Sequence, residues 1–181
     1  RDKIALCGYH GWHDWYIGTT ARHLGVPDAV RSLSTPFPFN DADQLEDALK
    51  RSPKEFAAVI LEPAGTIDPA PGFLERVREI TESYGVLLIF DEIVTGFRAH
   101  MGGAQALYGV IPDISCFGKA MGNGMPISAV VGRRQFMQSM EDIFFSGTFG
   151  GEALSLAASI ATIRKLEEID GIGKIHAAGV H

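Results

Sequence analysis

The scarce features of this chain of 181 residues each argue against a class of protein. It has 2 cysteines, Cys7 and Cys116, which do not form a C-x-x-C pair, so a scaffold held by disulfides is excluded. The strongly apolar runs, such as residues 86–90, are far too short to cross a bilayer. The net charge is −6 and no basic patch dominates, which argues against a protein that binds nucleic acid through its phosphates. We therefore expect neither a membrane nor a nucleic acid as a partner.

The composition is that of a folded chain. Apolar residues make up 46% and charged residues 21%, which is enough apolar material for one substantial core. No signal-peptide pattern opens the chain, and together with the scarce cysteines this favours a cytoplasmic location. The chain starts at Arg1 rather than at a methionine, so we expect a fragment or a processed product.

The hydrophobic pattern alternates between strands and helices. Continuous apolar runs at residues 57–61 and 86–90 are typical of strands buried on both faces. Apolar residues at helical spacing predict helices over residues 43–51 and 73–84. The remaining predictions are strands at 4–7, 30–33, 114–117 and 127–131, and helices at 134–140 and 151–168. This order predicts an α/β fold whose mainly parallel sheet has helices on both faces.

Two acidic residues directly follow the buried strands. Glu62 comes after the run that ends at Leu61, and Asp91 comes after the run that ends at Phe90. Parallel sheets bind ligands at the carboxyl ends of their strands, so both carboxylates are candidates for chemistry at one rim. A turn or a helix cap is the alternative role for either acid taken alone.

The pair Asp91-Glu92 also fits the magnesium-binding strand of a P-loop ATPase. That hypothesis requires a phosphate loop of the form G-x-x-x-x-G-K-[ST]. Here Gly118-Lys119 is followed by Ala120, which offers no hydroxyl for the metal. A nucleotide hydrolase therefore remains only as a rival hypothesis.

A lysine in a glycine-rich turn is the third candidate. Lys119 follows the apolar run 114–117 and lies among small residues. An amine held in a partly dry pocket can lose its proton and attack a carbonyl, whereas the alternative is an ordinary surface lysine. The glycines also allow a flat ring to approach the backbone.

Two further segments suit a flat, phosphorylated ligand. Residues 144–151 precede a predicted helix, where free N–H groups and the Thr148 hydroxyl attract an anion, although a plain helix cap is the alternative. Residues 8–16 contain four aromatic residues, one of which can stack on a ring. His10 and His13 also raise a metal hypothesis, but zinc requires further ligands. An acid, an amine, an anion site and an aromatic platform together suit pyridoxal 5′-phosphate (PLP).

The same segments, in the same order, resemble the class III aminotransferases, which are PLP enzymes of fold type I, and look closest to the glutamate-1-semialdehyde aminomutase-like branch. The run of residues 89–98 together with the downstream Gly-Lys loop is highly specific as a set. The matching stretches are Tyr9-His10-Gly11, Glu62-Pro63, residues 89–98, Pro112-Asp113, residues 117–126 and residues 146–151.

The resemblance implies the large domain of fold type I and a transaminase or aminomutase that acts on a small-molecule amino donor and a carbonyl acceptor. Lys119 would form the Schiff base with the cofactor aldehyde, and Asp91 would pair with the pyridine nitrogen. Ile93 would press on one ring face and Tyr9 would stack on the other. The resemblance fixes no role for the neighbouring His10.

Two more roles follow from the resemblance. Glu62 would lie near the cofactor and its bound amine. Thr148 would bind the cofactor phosphate of the partner subunit in a homodimer. Residues 1–181 would be the central part of the large domain, truncated at both ends and without the small C-terminal domain.

Because the upstream phosphate loop of the family is absent too, we expect the isolated chain to bind cofactor weakly and to turn over slowly. The alternative to an amino-group transfer enzyme is a non-catalytic fragment, which would serve only as a folded cofactor-binding or assembly piece. The sequence identifies neither the amino donor nor the acceptor. It does not separate transamination from amino migration, because both begin with the same proton transfers.

Overall fold

A computed structural model describes residues 1–179, which fall into two compact units. The first unit is Arg1–Asp91, and the second begins at Glu92. In the part of the chain that the structure describes, no helix is long and apolar enough to cross a membrane.

The first unit contains a parallel sheet of four strands in the order β2-β1-β3-β4. The strands are β1 (Lys3–Cys7), β2 (Ser34–Pro36), β3 (Phe56–Leu61) and β4 (Leu87–Asp91). The helices are α1 (Asp14–Ile17), α2 (Asp28–Arg31), α3 (Ala42–Arg51) and α4 (Phe73–Tyr84).

Local chemistry sets the limits of the two longer helices of this unit. Helix α3 begins at Asp41, whose side chain accepts a hydrogen bond of 3.0 Å from the Gln44 backbone N–H. Helix α4 lies between Gly72 and Gly85, which both adopt left-handed backbone angles that favour glycine. The apolar faces of both helices are buried, as their periodicity predicts.

The second unit contains an antiparallel pair of strands, β5 (Ile114–Phe117) and β6 (Ala129–Gly132). Its helices are α5 (Gly103–Tyr108), α6 (Arg134–Met137), α7 (Ala153–Glu168) and α8 (Gly171–Gly179). Two short 3₁₀ helices, Lys119–Met121 and Gln138–Glu141, complete it.

These pairings confirm the prediction of a mainly parallel sheet, since β1, β2, β3 and β4 pair in parallel, whereas β5 and β6 pair antiparallel. The strand predicted at residues 30–33 is wrong. Pro27 and Asp28 begin a short helix there, and the strand follows at Ser34–Pro36. The helix predicted at 134–140 is divided into α6 and a 3₁₀ turn. The sequence did not predict α1, α5 or α8.

Candidate active site

The register of the parallel sheet brings Glu62 and Asp91 to one end of it. Leu61 pairs with Phe90 across β3 and β4, and Cys7 pairs with Leu61 across β1 and β3. The residues that follow these three strands therefore lie side by side, at the end where parallel sheets bind ligands.

Asp91 is held by His10. The Asp91 Oδ2 atom lies 2.8 Å from His10 Nδ1, and the two side chains are 10% and 2% exposed. His10 Nε2 donates a hydrogen bond of 3.0 Å to the Cys7 carbonyl, which can only accept, so Nε2 carries a hydrogen. A proton therefore lies between Nδ1 and Oδ2, and the imidazole fixes the orientation of the carboxylate.

Aromatic stacking fixes the imidazole in turn. The rings of His10 and Trp15 stack with their centroids 5.6 Å apart and an interplanar angle of 29°. His10 also meets the edge of Tyr16 at 5.7 Å. Two of the four aromatic residues of segment 8–16, Trp15 and Tyr16, thus pack against His10 and so support Asp91 indirectly.

Glu62 contacts the backbone of Tyr9. Its Oε2 atom accepts a hydrogen bond of 2.8 Å from the Tyr9 N–H. A Cβ atom on Gly8 would lie 2.7 Å from the same oxygen, and Gly8 has a φ of +100°, so this close approach requires glycine. Tyr9 is 63% exposed, and its ring lies 5.4 Å from the Tyr16 ring in an edge-on arrangement. Tyr9 is therefore an exposed aromatic residue whose backbone is held by Glu62.

Cys7 lies at the same end of the sheet but is not a nucleophile. Burial, and secondly the charge of Glu62, raise the pKa of the Cys7 thiol to about 12. The thiolate is the reactive form, and it is scarce at neutral pH when the pKa is that high.

In the second unit, an unusual backbone carries Lys119. Strand β5 ends at Phe117, Gly118 is extended, and Lys119 has a φ of +43° at the start of a 3₁₀ turn. The Lys119 side chain is exposed. A Cβ atom on Gly118 would lie 3.7 Å from Ile93 Cγ2, so Ile93 packs beside the residue that precedes the lysine.

Glu92 has a different role from the one that the magnesium hypothesis assigns to it. Its side chain is fully buried, and its oxygens accept hydrogen bonds of 2.8 Å from the backbone N–H groups of Ala104 and Gln105. The Thr95 hydroxyl donates to it as well. These donors occupy both oxygens, so Glu92 is not available as a metal ligand. Among the described residues, no group of three or more His, Cys, Asp or Glu side chains could hold a metal ion.

Thr148 lies in the exposed loop that precedes α7. It lines an open cavity of about 430 Å³ together with Ser146 and Glu152. The Glu152 carboxylate accepts hydrogen bonds of 2.6 and 2.8 Å from the N–H groups of Leu154 and Ser155. Hydrogen bonds from Ser155, and then from Leu154, lower the pKa of the Glu152 carboxyl. Two of the amides expected to attract an anion are thus already bound to a carboxylate of the chain.

The predicted site residues are divided between the units. Tyr9, Glu62 and Asp91 belong to the first unit, where hydrogen bonds and the strand register hold them at one end of the sheet. Ile93, Lys119 and Thr148 belong to the second. Ile93 packs next to Gly118, beside Lys119, whereas Thr148 lies in a separate loop.

Sequence reasoning missed the cap formed by Glu152 and the buried position of Glu92. A signal for the cap was present, because an acidic residue immediately precedes the Ala-rich helix. No comparable signal marked Glu92, because acidic residues are rarely buried fully.

The chain is similar in sequence to known aminotransferases and aminomutases. The family model described as "Aminotransferase class-III" matches residues 8–179. The 3-aminobutyryl-CoA aminotransferase of Cloacimonas acidaminovorans is 44% identical over 174 residues, which cover 92% of this chain and 41% of that protein. The glutamate-1-semialdehyde 2,1-aminomutase of Methanocaldococcus jannaschii is 42% identical over 176 residues, which cover 88% of this chain and 41% of that protein.

A solved structure described as a transaminase with PLP bound superposes with a TM-score of 0.86 at 31% identity, covering 92% of this chain and 44% of that one. The likeness agrees with the expected fold type. The chain spans about two fifths of the length of the curated relatives it matches. On the match over residues 8–179, the chain belongs to the class III aminotransferase family.

Proposed function

We propose that this chain is the cofactor-binding part of an enzyme that uses PLP to transfer an amino group, as a transaminase or as an aminomutase. Family membership supports the reaction class, and the similar transaminase solved with PLP supports the cofactor. The observation that carries the proposal is the buried carboxylate of Asp91, which lies at the carboxyl end of a parallel strand and is oriented by His10 at 2.8 Å.

The residues of the first unit fit a protonated pyridine ring. When bound, PLP supplies a ring that accepts the electron pair released at the substrate α-carbon. Asp91 would hold a proton on the ring nitrogen by placing a negative charge against it. Tyr9 would cover one ring face, and the 63% exposure of this residue supports that role. Glu62 would keep Tyr9 in position and would lie near the substrate amine, since it holds the Tyr9 N–H at 2.8 Å.

Lys119 would hold the cofactor aldehyde through Nζ. Once the substrate amine displaces it, the same Nζ would move a proton from the substrate α-carbon. Its place directly after β5 and Gly118, in a turn with a φ of +43°, supports this assignment, since such strand ends carry the ligand sites of parallel sheets. Ile93 would cover the second ring face, and its position beside Gly118 supports that role.

Thr148 would bind the cofactor phosphate of a partner subunit in a homodimer. Because Glu152 occupies two amides of α7, the Thr148 hydroxyl is the proposed donor rather than those amides. Three exposed aromatic residues near it, Phe144, Phe145 and Phe149, support an interface, since large exposed apolar patches mark interaction surfaces. Analytical ultracentrifugation that finds only monomers of the PLP-loaded full-length protein would contradict the dimer.

Covalent trapping tests the role of Lys119. Full-length protein is incubated with PLP and reduced with borohydride, and the modified peptide is mapped by mass spectrometry. We expect the label on Lys119 and its loss in the Lys119→Arg variant, which keeps the positive charge. A folded wild-type protein that carries no label supports instead the alternative of a non-catalytic piece. A label on another lysine refutes the assignment.

The substrates require a separate experiment. The similar relatives include an aminotransferase and an aminomutase, so the family does not decide between them. Product analysis with a panel of amino donors and carbonyl acceptors distinguishes transfer between molecules from migration within one. We also propose a cytoplasmic location, which is supported by Cys7 and Cys116, since neither takes part in a disulfide.

A further inference from the structure

The segment 92–105, which we name the bracing loop, contacts strand β5 through hydrogen bonds. The Gln105 side-chain amide donates a bond of 3.0 Å to the Ser115 hydroxyl. The Glu92 backbone N–H donates a bond of 2.9 Å to the Cys116 carbonyl. Two consecutive residues of β5 are thus bonded to opposite ends of this loop.

The next two residues are held by packing. The Phe97 and Phe117 rings lie 5.8 Å apart, and a Cβ atom on Gly96 would clash with the Phe117 ring, so the loop backbone packs closely against that ring. Ile93 lies beside Gly118. The bracing loop therefore contacts each of the four residues that immediately precede Lys119.

Glu92 closes the loop on itself. Its carboxylate accepts hydrogen bonds from Ala104 and Gln105 at the far end of the loop and from Thr95 within it. The side chain is fully buried, and a buried charge is stable only when its hydrogen bonds are satisfied. A Cβ atom on Gly103 would lie 2.6 Å from the carboxyl carbon, so the loop fits closely around the acid.

We propose that Glu92 is a positioning residue for Lys119: by closing the bracing loop it fixes the four residues before the lysine and so sets where Nζ is presented. This inference depends on the proposed role of Lys119 as the residue that holds the cofactor aldehyde. The residues concerned all lie in the second unit. Glu92 itself is not proposed to contact the substrate or the cofactor.

The test compares Glu92→Gln with wild type by two measurements on the full-length protein. Glutamine keeps the volume of the side chain but replaces one acceptor by a donor that faces backbone N–H groups. The first measurement is amide hydrogen exchange over residues 114–123, made without cofactor. The second is the rate of borohydride-dependent labelling of Lys119 by PLP. Since a misplacement of ~1 Å can cost ~10²-fold in rate, we expect labelling to slow by ~10- to 100-fold.

A matched control separates positioning from general loss of stability. Leu74→Ala removes a buried side chain of helix α4 in the first unit, and we expect it to lower the thermal midpoint. We expect faster exchange over residues 114–123 in Glu92→Gln and not in Leu74→Ala. If both variants label Lys119 equally fast and exchange alike in this segment, the proposal is overturned.

Two milder variants cover the case in which Glu92→Gln does not fold. Ser115→Ala and Gln105→Leu remove the 3.0 Å bond to β5 but leave the backbone bonds to Glu92. We expect each to accelerate exchange over residues 114–123, and no effect from either overturns the proposal. A wild-type protein in which PLP never labels Lys119 refutes the proposed function instead, and the hydrogen exchange, which needs no cofactor, still decides whether Glu92 braces β5.

Discussion

Replacing Asp91 with asparagine separates the charge of this residue from its shape. Asparagine can still bond to His10 Nδ1, now as a neutral donor, so the contact at 2.8 Å survives without its charge. A hydrogen bond to a charged group contributes ~1.5–3 kcal/mol and a neutral one ~0.5–1.5 kcal/mol, so we expect a loss of stability of ~1–2 kcal/mol. For a domain of 150–250 residues that is a drop of roughly 2–8 °C in the thermal midpoint.

The effect on the reaction is expected to be much larger than the effect on stability. In the proposed role, Asp91 would supply the negative charge that favours a protonated ring nitrogen, and removal of one oriented electrostatic group typically costs ~10²–10³ in rate. The assay is exchange of the substrate α-proton into deuterated water, followed by NMR on full-length protein saturated with PLP. This exchange reports the proton transfer alone and does not depend on the identity of the acceptor.

Asp113→Asn is the matched control. Asp113 is a buried acid of the second unit, 3.3 Å from Arg133, and has no proposed contact with the cofactor. We expect it to lower the thermal midpoint by a similar amount and to leave α-proton exchange unchanged. An Asp91→Asn variant that exchanges the α-proton as fast as wild type refutes the role given to the carboxylate.

Three further predictions concern the surroundings of the site. The Glu152 carboxylate caps α7 with a lowered pKa, so the cap is complete above the ordinary carboxyl pKa and is lost as the pH falls through the lowered value. The protection factors of the first α7 amides, which are exchange rates corrected for the intrinsic effect of pH, should therefore fall in acid, and Glu152→Gln should show no such pH step. The pKa of Cys7 is raised to about 12, so alkylation followed by mass spectrometry should leave this thiol unmodified at neutral pH until the protein unfolds. Gly103→Ala should lower the free energy of unfolding, measured in urea, by about 2 kcal/mol or more, because the φ of Gly103 is +77° and the new methyl group would clash with Glu92. Gly65→Ala is the control and should change this free energy little, since a Cβ atom there would have no neighbour within 4 Å.

The sequence predicted the framework of the site well because buried parallel strands have a strong pattern. The apolar runs at 57–61 and 86–90 became β3 and β4, and their ends carry Glu62 and Asp91 as expected. Periodicity failed where segments were short. The hydrophobic pattern of residues 30–33 fits a short helix as well as a strand. Pro27 and Asp28 favour the start of a helix at this point, and a helix is what forms.

Contacts between side chains that are far apart in the sequence could not be predicted from it. The bond between His10 and Asp91 joins residues 81 positions apart, and only the strand register brings them together. Glu92 looked like a metal ligand because it follows Asp91, but the turn after β4 directs it inward onto the amides of α5. The roles of all six predicted site residues stay predictions, because they depend on a bound cofactor; these residues are Tyr9, Glu62, Asp91, Ile93, Lys119 and Thr148.

His10 bonds to Cys7 through one ring nitrogen and to Asp91 through the other. These two hydrogen bonds limit the insertions and deletions that the chain can tolerate between Cys7 and His10. His10 leaves the end of β1 and reaches the end of β4, with β3 between them in the sheet. One inserted residue lengthens an extended chain by ~3.3–3.6 Å, more than a hydrogen bond can stretch. An insertion or deletion between Cys7 and His10 therefore separates the imidazole from the aspartate, so we expect this short connection to tolerate substitutions better than any change in its number of residues.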